Sequence, residues 1–342
     1  MVSDSIRIVR LNARPALSPD YRSARASRVA ANAASVRSAP VSRALPRRLR
    51  RPTLLVVGCG DVGLRLIAQR AGQPNRLRII ATARRPEQLA AIRAAGAIAL
   101  ACDLDDRRSV SRLSGLSRWM VHLAPPPAEG TGDRRSRWLT AACASGAAAG
   151  ASARLSYVST TGVYGDCAGK HINETRPLQP SNPRAARRVA AEQTLRAFGR
   201  RTATRVTLLR APGIYAQDRL PLERLRQRQP ALLPADDVYT NHIHADDLAH
   251  AAWLALFRAR GGRSFNVCDD TDLLMGDYFD VVADATGLPR PPRMTRAEVA
   301  ARVSPMMLSF MRDSRRISNT RMKRELRLRL RVADVHALVA LL

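Results

Sequence analysis

From Thr53 onward, short apolar runs alternate with longer Ala-, Leu- and Arg-rich stretches whose apolar residues recur at helical spacing. Residues 53–57 (Thr-Leu-Leu-Val-Val) read as a buried strand, 61–71 as a helix and 78–82 as a second strand. A helix over 86–95, a strand over 97–101, a fourth strand over 119–123 and a fifth over 155–159 follow. Strands alternating with helices argue for βαβ units, hence an α/β protein with a doubly wound parallel sheet covered by helices on both faces.

Residues 1–52 break this pattern. They hold twelve arginines and two aspartates among many Ser and Ala, with little apolar periodicity. Such a segment buries too little apolar surface to offset chain entropy, so a disordered tail is expected. Its Arg- and Ser-rich, acid-poor character is that of a transit peptide, and an over-extended start site in a GC-rich gene gives the same composition. No apolar core follows its basic residues, so it is not a secretory signal. The remainder divides at about residue 240 into 53–240, a core domain, and 241–342, interleaved C-terminal elements and a substrate-binding subdomain. No apolar run reaches about 18 residues, so no membrane association is expected. The small-residue stretch 141–153 reads as a close-packed helix.

Charge and cysteines narrow the partners. The formal net charge is +29, with 57 Lys plus Arg against 28 Asp plus Glu. Only Lys170 and Lys323 are lysines, so the excess is almost wholly arginine. That bias, beside abundant Ala, fits a GC-rich genome better than selection for phosphate contacts. No helix-turn-helix, zinc-finger or RNA-binding signature accompanies it, which argues for a solvated basic surface over a nucleic-acid partner. Cys59, Cys102, Cys143, Cys167 and Cys268 are scattered and contain no C-x-x-C pair. They imply neither a disulfide framework nor a zinc site, and fit a reducing, cytoplasmic setting.

The strongest motif is Gly58-Cys59-Gly60-Asp61-Val62-Gly63, between the first strand and the first helix. In that context G-x-G-x-x-G is a dinucleotide-binding fingerprint of the Rossmann type. Gly58 permits the tight turn, Gly60 lets the backbone approach a pyrophosphate, and Gly63 lets the helix pack close to the strand. The helix N-terminus presents free N–H groups to the phosphates. An acidic residue at the end of the second strand would hold the ribose 2′-hydroxyl of NAD. The chain has Arg84-Arg85 there, which suits the 2′-phosphate of NADP, with NAD as the alternative. Asp103-Leu104 follows the third strand, where the Asp either reaches the adenine or caps a turn.

From Thr53 to about Leu330, the chain resembles the extended short-chain dehydrogenase/reductases of the NAD-dependent epimerase/dehydratase family. The segments that carry the resemblance are Val121-His122-Leu123-Ala124, Tyr157-Val158-Ser159-Thr160-Thr161-Gly162-Val163-Tyr164-Gly165, Leu209-Arg210-Ala211-Pro212-Gly213-Ile214-Tyr215, His242 to Ala249, and Phe265-Asn266-Val267. The resemblance implies a Rossmann core with a small C-terminal substrate domain. It implies a cofactor site lined also by Leu123, Ala124 and Pro212, and a substrate oxygen held by Thr160. A small or nucleotide-linked carbonyl or hydroxyl substrate and a homodimer are the candidate partners.

Two departures matter. Val57 stands at the first glycine of the family's usual G-x-x-G-x-x-G. On alignment with the helix that carries the family's catalytic Y-x-x-x-K, Arg184 occupies the Tyr position and Arg188 the Lys position. Arginine at 188 supplies charge and donors, but its pKa above 12 bars it from general acid or base work near neutrality. Tyr164 is the nearest phenol in sequence that would serve as a relocated acid; the alternative is a packing residue of the Val-Tyr-Gly turn. The run His242-x-His244-x-Asp246-Asp247 is close to a dinuclear metal-hydrolase pattern, but lacks its last His. Asp246 or Asp247 is instead expected to cap the following helix, and no metal is expected. Arginines 224, 226 and 228 read either as a diphosphate grip or as a solvated face. Three function classes follow: an oxidoreductase or epimerase, a non-catalytic NADP-binding sensor or scaffold, and a basic nucleic-acid binder.

Overall fold

The computed structural model describes residues 52–71, 77–144, 150 and 152–342. The expected disordered tail, apart from Pro52, and part of the small-residue stretch at 145–149 and 151 lie outside the described residues.

Seven strands form one sheet: β1 (Thr53–Val57), β2 (Arg78–Ala83), β3 (Ile98–Ala101), β4 (Trp119–His122), β5 (Arg154–Thr160), β6 (Arg205–Ala211) and β7 (Ser264–Asn266). Their order is β7-β6-β5-β4-β1-β2-β3, and every neighbouring pair is parallel. The fold is therefore the α/β, doubly wound parallel sheet expected from the alternation of strands and helices.

The strand β1 shows why the apolar runs are continuous. Successive side chains point to opposite faces, and here both faces are covered. Leu54 and Val56 pack with Leu66 and Ile67 of α1 (Asp61–Ala71) and Leu248 of α6 (Ala245–Arg258). Leu55 and Val57 pack with Leu139 of α4 (Arg134–Ala144) and Leu195 and Phe198 of α5 (Pro183–Thr202). A strand buried on both faces has no polar alternation to show. The helix α2 (Pro86–Ala94) packs on β2 and β3, and α3 (Arg107–Ser111) packs on α4.

The main sheet takes its last strand, β7, from beyond residue 240. The C-terminal elements add four two-stranded pairs, among them Gly213–Tyr215 with His242–His244 and Arg316–Ile317 with His171–Ile172. The helix α7 (Met275–Thr286) packs Tyr278, Phe279 and Val282 against Leu225, Ala231 and Val335. Among the described residues no helix is long and apolar enough to cross a membrane.

Two local expectations are corrected. The cap of α6 is neither Asp246 nor Asp247 but His244, whose Nδ1 accepts the Asp246 N–H at 3.3 Å. Asp247 is fully buried and accepts the Arg331 and Val332 amides at 3.0–3.2 Å, pinning the C-terminal segment, while Asp246 pairs with Arg65. Arg224 is neither solvated nor free to grip a phosphate. It is buried, donates to Gln229 at 3.1 Å and to the Pro230 carbonyl, and lies 4.7 Å from the Phe279 ring centre.

Candidate dinucleotide site at the carboxyl edge of the sheet

The ends of β1, β2 and β4 meet at the glycine turn. Gly58 has φ +79°, and a Cβ there would lie 2.5 Å from that of Ala124. Its N–H donates to Thr82 Oγ1 at 3.0 Å, and the Cys59 N–H donates to the Thr82 carbonyl at 2.8 Å. A Cβ at Gly63 would lie 2.7 Å from Cys59 Sγ and 3.3 Å from Leu123 Cδ1, so only glycine lets α1 sit this close. A Cβ at Gly60 would meet nothing within 4 Å. The turn is thus packed shut behind Gly58 and Gly63 and open in front of Gly60, at the N-terminus of an 11-residue helix. It lies where the strand order reverses between β1 and β4, the crevice in which such sheets bind nucleotides. These residues fit a dinucleotide pyrophosphate.

The flanking candidates divide. Leu123 and Ala124 line the turn, and Val62 is half-buried against the core. Cys59 is buried, and burial pushes its thiol up to about 12, so it is inert. The Asp61 carboxylate is taken by Arg65 at 2.9 Å and Arg219 at 2.8 Å, which offsets its charge beside the phosphate position. Arg84 and Arg85 are exposed just past β2. Asp103 caps its own turn, accepting the Asp105 N–H at 2.9 Å, and the Leu104 side chain joins the core. Pro212 follows β6 on the same edge.

At the end of β5, Thr160 Oγ1 accepts the Gly162 N–H at 3.2 Å and caps the 3₁₀ turn Thr161–Tyr164. The first turns of α5 lie against it: a Cβ at Gly162 would be 3.6 Å from Thr160 Oγ1 and 4.0 Å from the Ala185 Cβ. Arg188 Nη1 donates to the Tyr157 hydroxyl at 2.9 Å and the Val158 carbonyl at 2.8 Å. Arg184 is exposed, with its guanidinium 5.9 Å from the Phe310 ring centre.

Tyr164 takes the packing alternative. It is fully buried, donates to Asn266 Oδ1 at 2.6 Å and accepts from Arg210 Nη1 at 2.9 Å. Arg210 in turn holds Glu192. The sequence reading did not anticipate this network. Its signal was present in Arg210 within Leu-Leu-Arg-Ala and Asn266 within Phe-Asn-Val, polar residues inside buried strands that require partners. A second unanticipated pair is Tyr215, whose hydroxyl donates to Asp269 at 2.7 Å, with burial pushing the Asp269 carboxyl up to about 7. The two motif histidines have structural partners: His244 caps α6, and buried His242 stacks on Tyr278 with ring centres 4.0 Å apart.

Comparison with known proteins finds matches across the sheet-forming part of the chain. The profile of the NAD dependent epimerase/dehydratase family matches residues 54–268. The dTDP-glucose 4,6-dehydratase of Mycolicibacterium smegmatis is 31% identical over 159 residues, 39% of this chain and 48% of that protein. The human dTDP-D-glucose 4,6-dehydratase is 26% identical over 119 residues, 32% of this chain and 34% of that protein. The matched region therefore spans between a third and a half of these curated relatives. Among solved structures, a conserved protein of unknown function from Silicibacter pomeroyi is 30% identical with a TM-score of 0.70, over 84% of this chain and 97% of that one. The UDP-glucose 4-epimerase of Thermotoga maritima, at 17% identity, aligns with a TM-score of 0.66 over 84% of this chain and 97% of that one, a likeness of fold.

Proposed function

The chain belongs to the NAD dependent epimerase/dehydratase family, and on that premise we propose that it binds NADP in the Gly58–Gly63 crevice and acts on a carbonyl or hydroxyl group of a small or nucleotide-linked substrate. The observation that carries this reading is the glycine turn, closed by Ala124 and Leu123 behind and open in front of Gly60. The bound nicotinamide would supply hydride chemistry, and the protein supplies binding, orientation and electrostatics.

The backbone of residues 58–63 and the start of α1 would hold the pyrophosphate. Arg84, with Arg85 beside it, favours a 2′-phosphate over a bare ribose hydroxyl, because a charge-assisted bond is gained. Thr160 would donate to the substrate oxygen. Arg188, fixed by Tyr157 and Val158, holds positive charge beside the end of β5. On our alignment no phenol stands where the family's acid does, and Tyr164 has its hydroxyl engaged on both sides. We therefore assign Tyr164 to packing, and leave proton transfer to water or to the substrate. A positioned acid–base group contributes ~10²–10⁴-fold, so slow turnover is expected. That same observation favours a second reading, a cofactor-binding sensor with no turnover.

The test is fluorescence titration of NADPH and NADH, followed by a stopped-flow screen of NADPH oxidation against aldehydes, ketones and nucleotide-sugars. NADPH binding tighter than NADH, with the difference lost in Arg84→Ala, supports the cofactor assignment. Equal binding of both, unaffected by Arg84→Ala, refutes it. Turnover that falls in Thr160→Ala supports an enzyme; tight NADPH binding without turnover supports the sensor.

A further inference from the structure

The N-terminal face of α5 is electrostatically unfinished. Positive helix ends favour acidic residues in the first turn, yet α5 has none there. It carries Arg184, Arg187 and Arg188 instead. Arg184 and Arg188 are four apart, hence neighbours on one face, where like charges destabilise a helix. Among the described residues neither has a carboxylate partner, whereas Arg210, which α5 holds through Glu192, is ion-paired. The Arg184 pKa is held below the ordinary arginine value, first by partial desolvation and then by the charges of Arg188 and Arg187.

The two arginines have different surroundings. Arg188 is fastened through Nη1 to Tyr157 and Val158. Arg184 lies over Phe310, which is itself 48% exposed. Ser181, three residues before Arg184, donates to Asp313 Oδ2 at 3.1 Å, so the segment that carries Phe310 is joined to the start of α5. Gly162, whose N–H Thr160 accepts, faces this first turn at Ala185. Arg188 is therefore bonded to β5 two residues before Thr160, and Arg184 lies one helical turn before Arg188 on α5.

We propose that Arg184 and Arg188 form an oxyanion-binding pair, and that the substrate carries its own carboxylate or phosphate close to the carbon that reacts. This rests on the reading that Thr160 marks the substrate end of the cofactor crevice. Guanidinium forks match both anions by two parallel N–H···O bonds. The anion would supply the charge that the sequence withholds from α5. A neutral sugar hydroxyl would leave the pair as unfinished as the free protein has it.

The experiment titrates malonate and inorganic phosphate, in separate arms, into the full-length protein, with and without saturating NADPH. The readouts are calorimetry and thermal shift. Arg184→Gln, Arg188→Gln and Arg188→Lys are compared with Arg201→Gln, an exposed residue at the far end of the same helix that loses the same charge. At least one probe should bind wild type, and each Gln variant should bind it about tenfold more weakly, the loss of one charge-assisted contact. Arg188→Lys should recover part of that loss, and Arg201→Gln should match wild type. Unliganded Arg184→Gln should also melt no lower than wild type at low salt, because it removes repulsion. The arm with the stronger response distinguishes carboxylate from phosphate. Binding of neither probe, or equal losses in Arg184→Gln and Arg201→Gln, overturns the proposal. Failure of NADPH to bind would count against the cofactor assignment alone, since the cofactor-free arm still reports the pair.

Discussion

Arg210 holds Glu192 side-on: Nη2 lies 2.8 Å from Oε2 and Nε 3.1 Å from Oε1, with both side chains almost completely buried. Burial pulls the arginine pKa down, but the bonds and charge of Glu192 outweigh it, so Arg210 stays charged and its pKa is raised. The pair joins α5 to β6, and through Tyr164 and Asn266 it reaches the 3₁₀ turn and β7. Four elements, from the 3₁₀ turn at Thr161–Tyr164 to β7 at Ser264–Asn266, therefore meet at one charge pair.

Removing one partner of such a pair leaves a buried charge uncompensated, at a cost of ~3–5 kcal/mol. Glu192→Ala is expected to lose about that much stability in urea unfolding. An effect under ~1 kcal/mol, the range of a surface pair, would show that the pair is not buried in solution.

Tyr164→Phe removes one hydroxyl that both donates and accepts, leaving Arg210 and Asn266 each short of a partner. A loss of ~1–3 kcal/mol is expected, with turnover per folded molecule unchanged on any substrate found. A collapse of turnover with unchanged stability would restore Tyr164 as the acid.

The glycine turn separates folding from binding. Gly58→Ala places a Cβ against Ala124 at φ +79° and should destabilise by at least ~1–3 kcal/mol. Gly60→Ala adds its methyl to open space, so stability should stay within ~0.5 kcal/mol. Dinucleotide affinity should nevertheless fall, because that space is where the pyrophosphate would approach. Unchanged NADPH affinity in a stable Gly60→Ala protein would place the cofactor elsewhere.

Stability should depend on pH through three buried groups. Burial lowers His242 to about 3, and His122 to about 4, against an ordinary value of 6.5. Both are neutral in the fold, so their contribution is complete above pH 6.5 and declines as pH falls below it, by up to ~1.4 kcal/mol per unit for each. Asp269 runs the other way. Its carboxyl is raised from 3.8 to about 7, so the folded state keeps a proton the unfolded chain has lost, and stability falls as pH rises from about 4 to 7. Urea unfolding of His242→Phe should be less sensitive to acid than wild type, and Asp269→Asn should be less sensitive to pH across the range from about 4 to 7. Parallel pH curves for wild type and both variants would contradict these assignments.

Much of this was legible in the chain itself. The pattern of apolar runs located β1 to β5 and the first helices to within a residue or two, most directly at β1, because a strand buried on both faces cannot hide its composition. The glycine spacing located the turn, because φ +79° at Gly58 and the approach of Leu123 to Gly63 exclude side chains. Which polar residue meets which was decided only by the fold. His244 rather than Asp246 caps α6, because Asp247 turns inward to the Arg331 and Val332 amides and Asp246 turns outward to Arg65. Tyr164 lost its freedom to Arg210 and Asn266, respectively 46 and 102 residues away in sequence. Backbone conformation and burial pattern are properties of neighbouring residues and leave a local trace. A hydrogen bond across 102 residues exists only once the sheet has brought its ends together, and no local pattern records it.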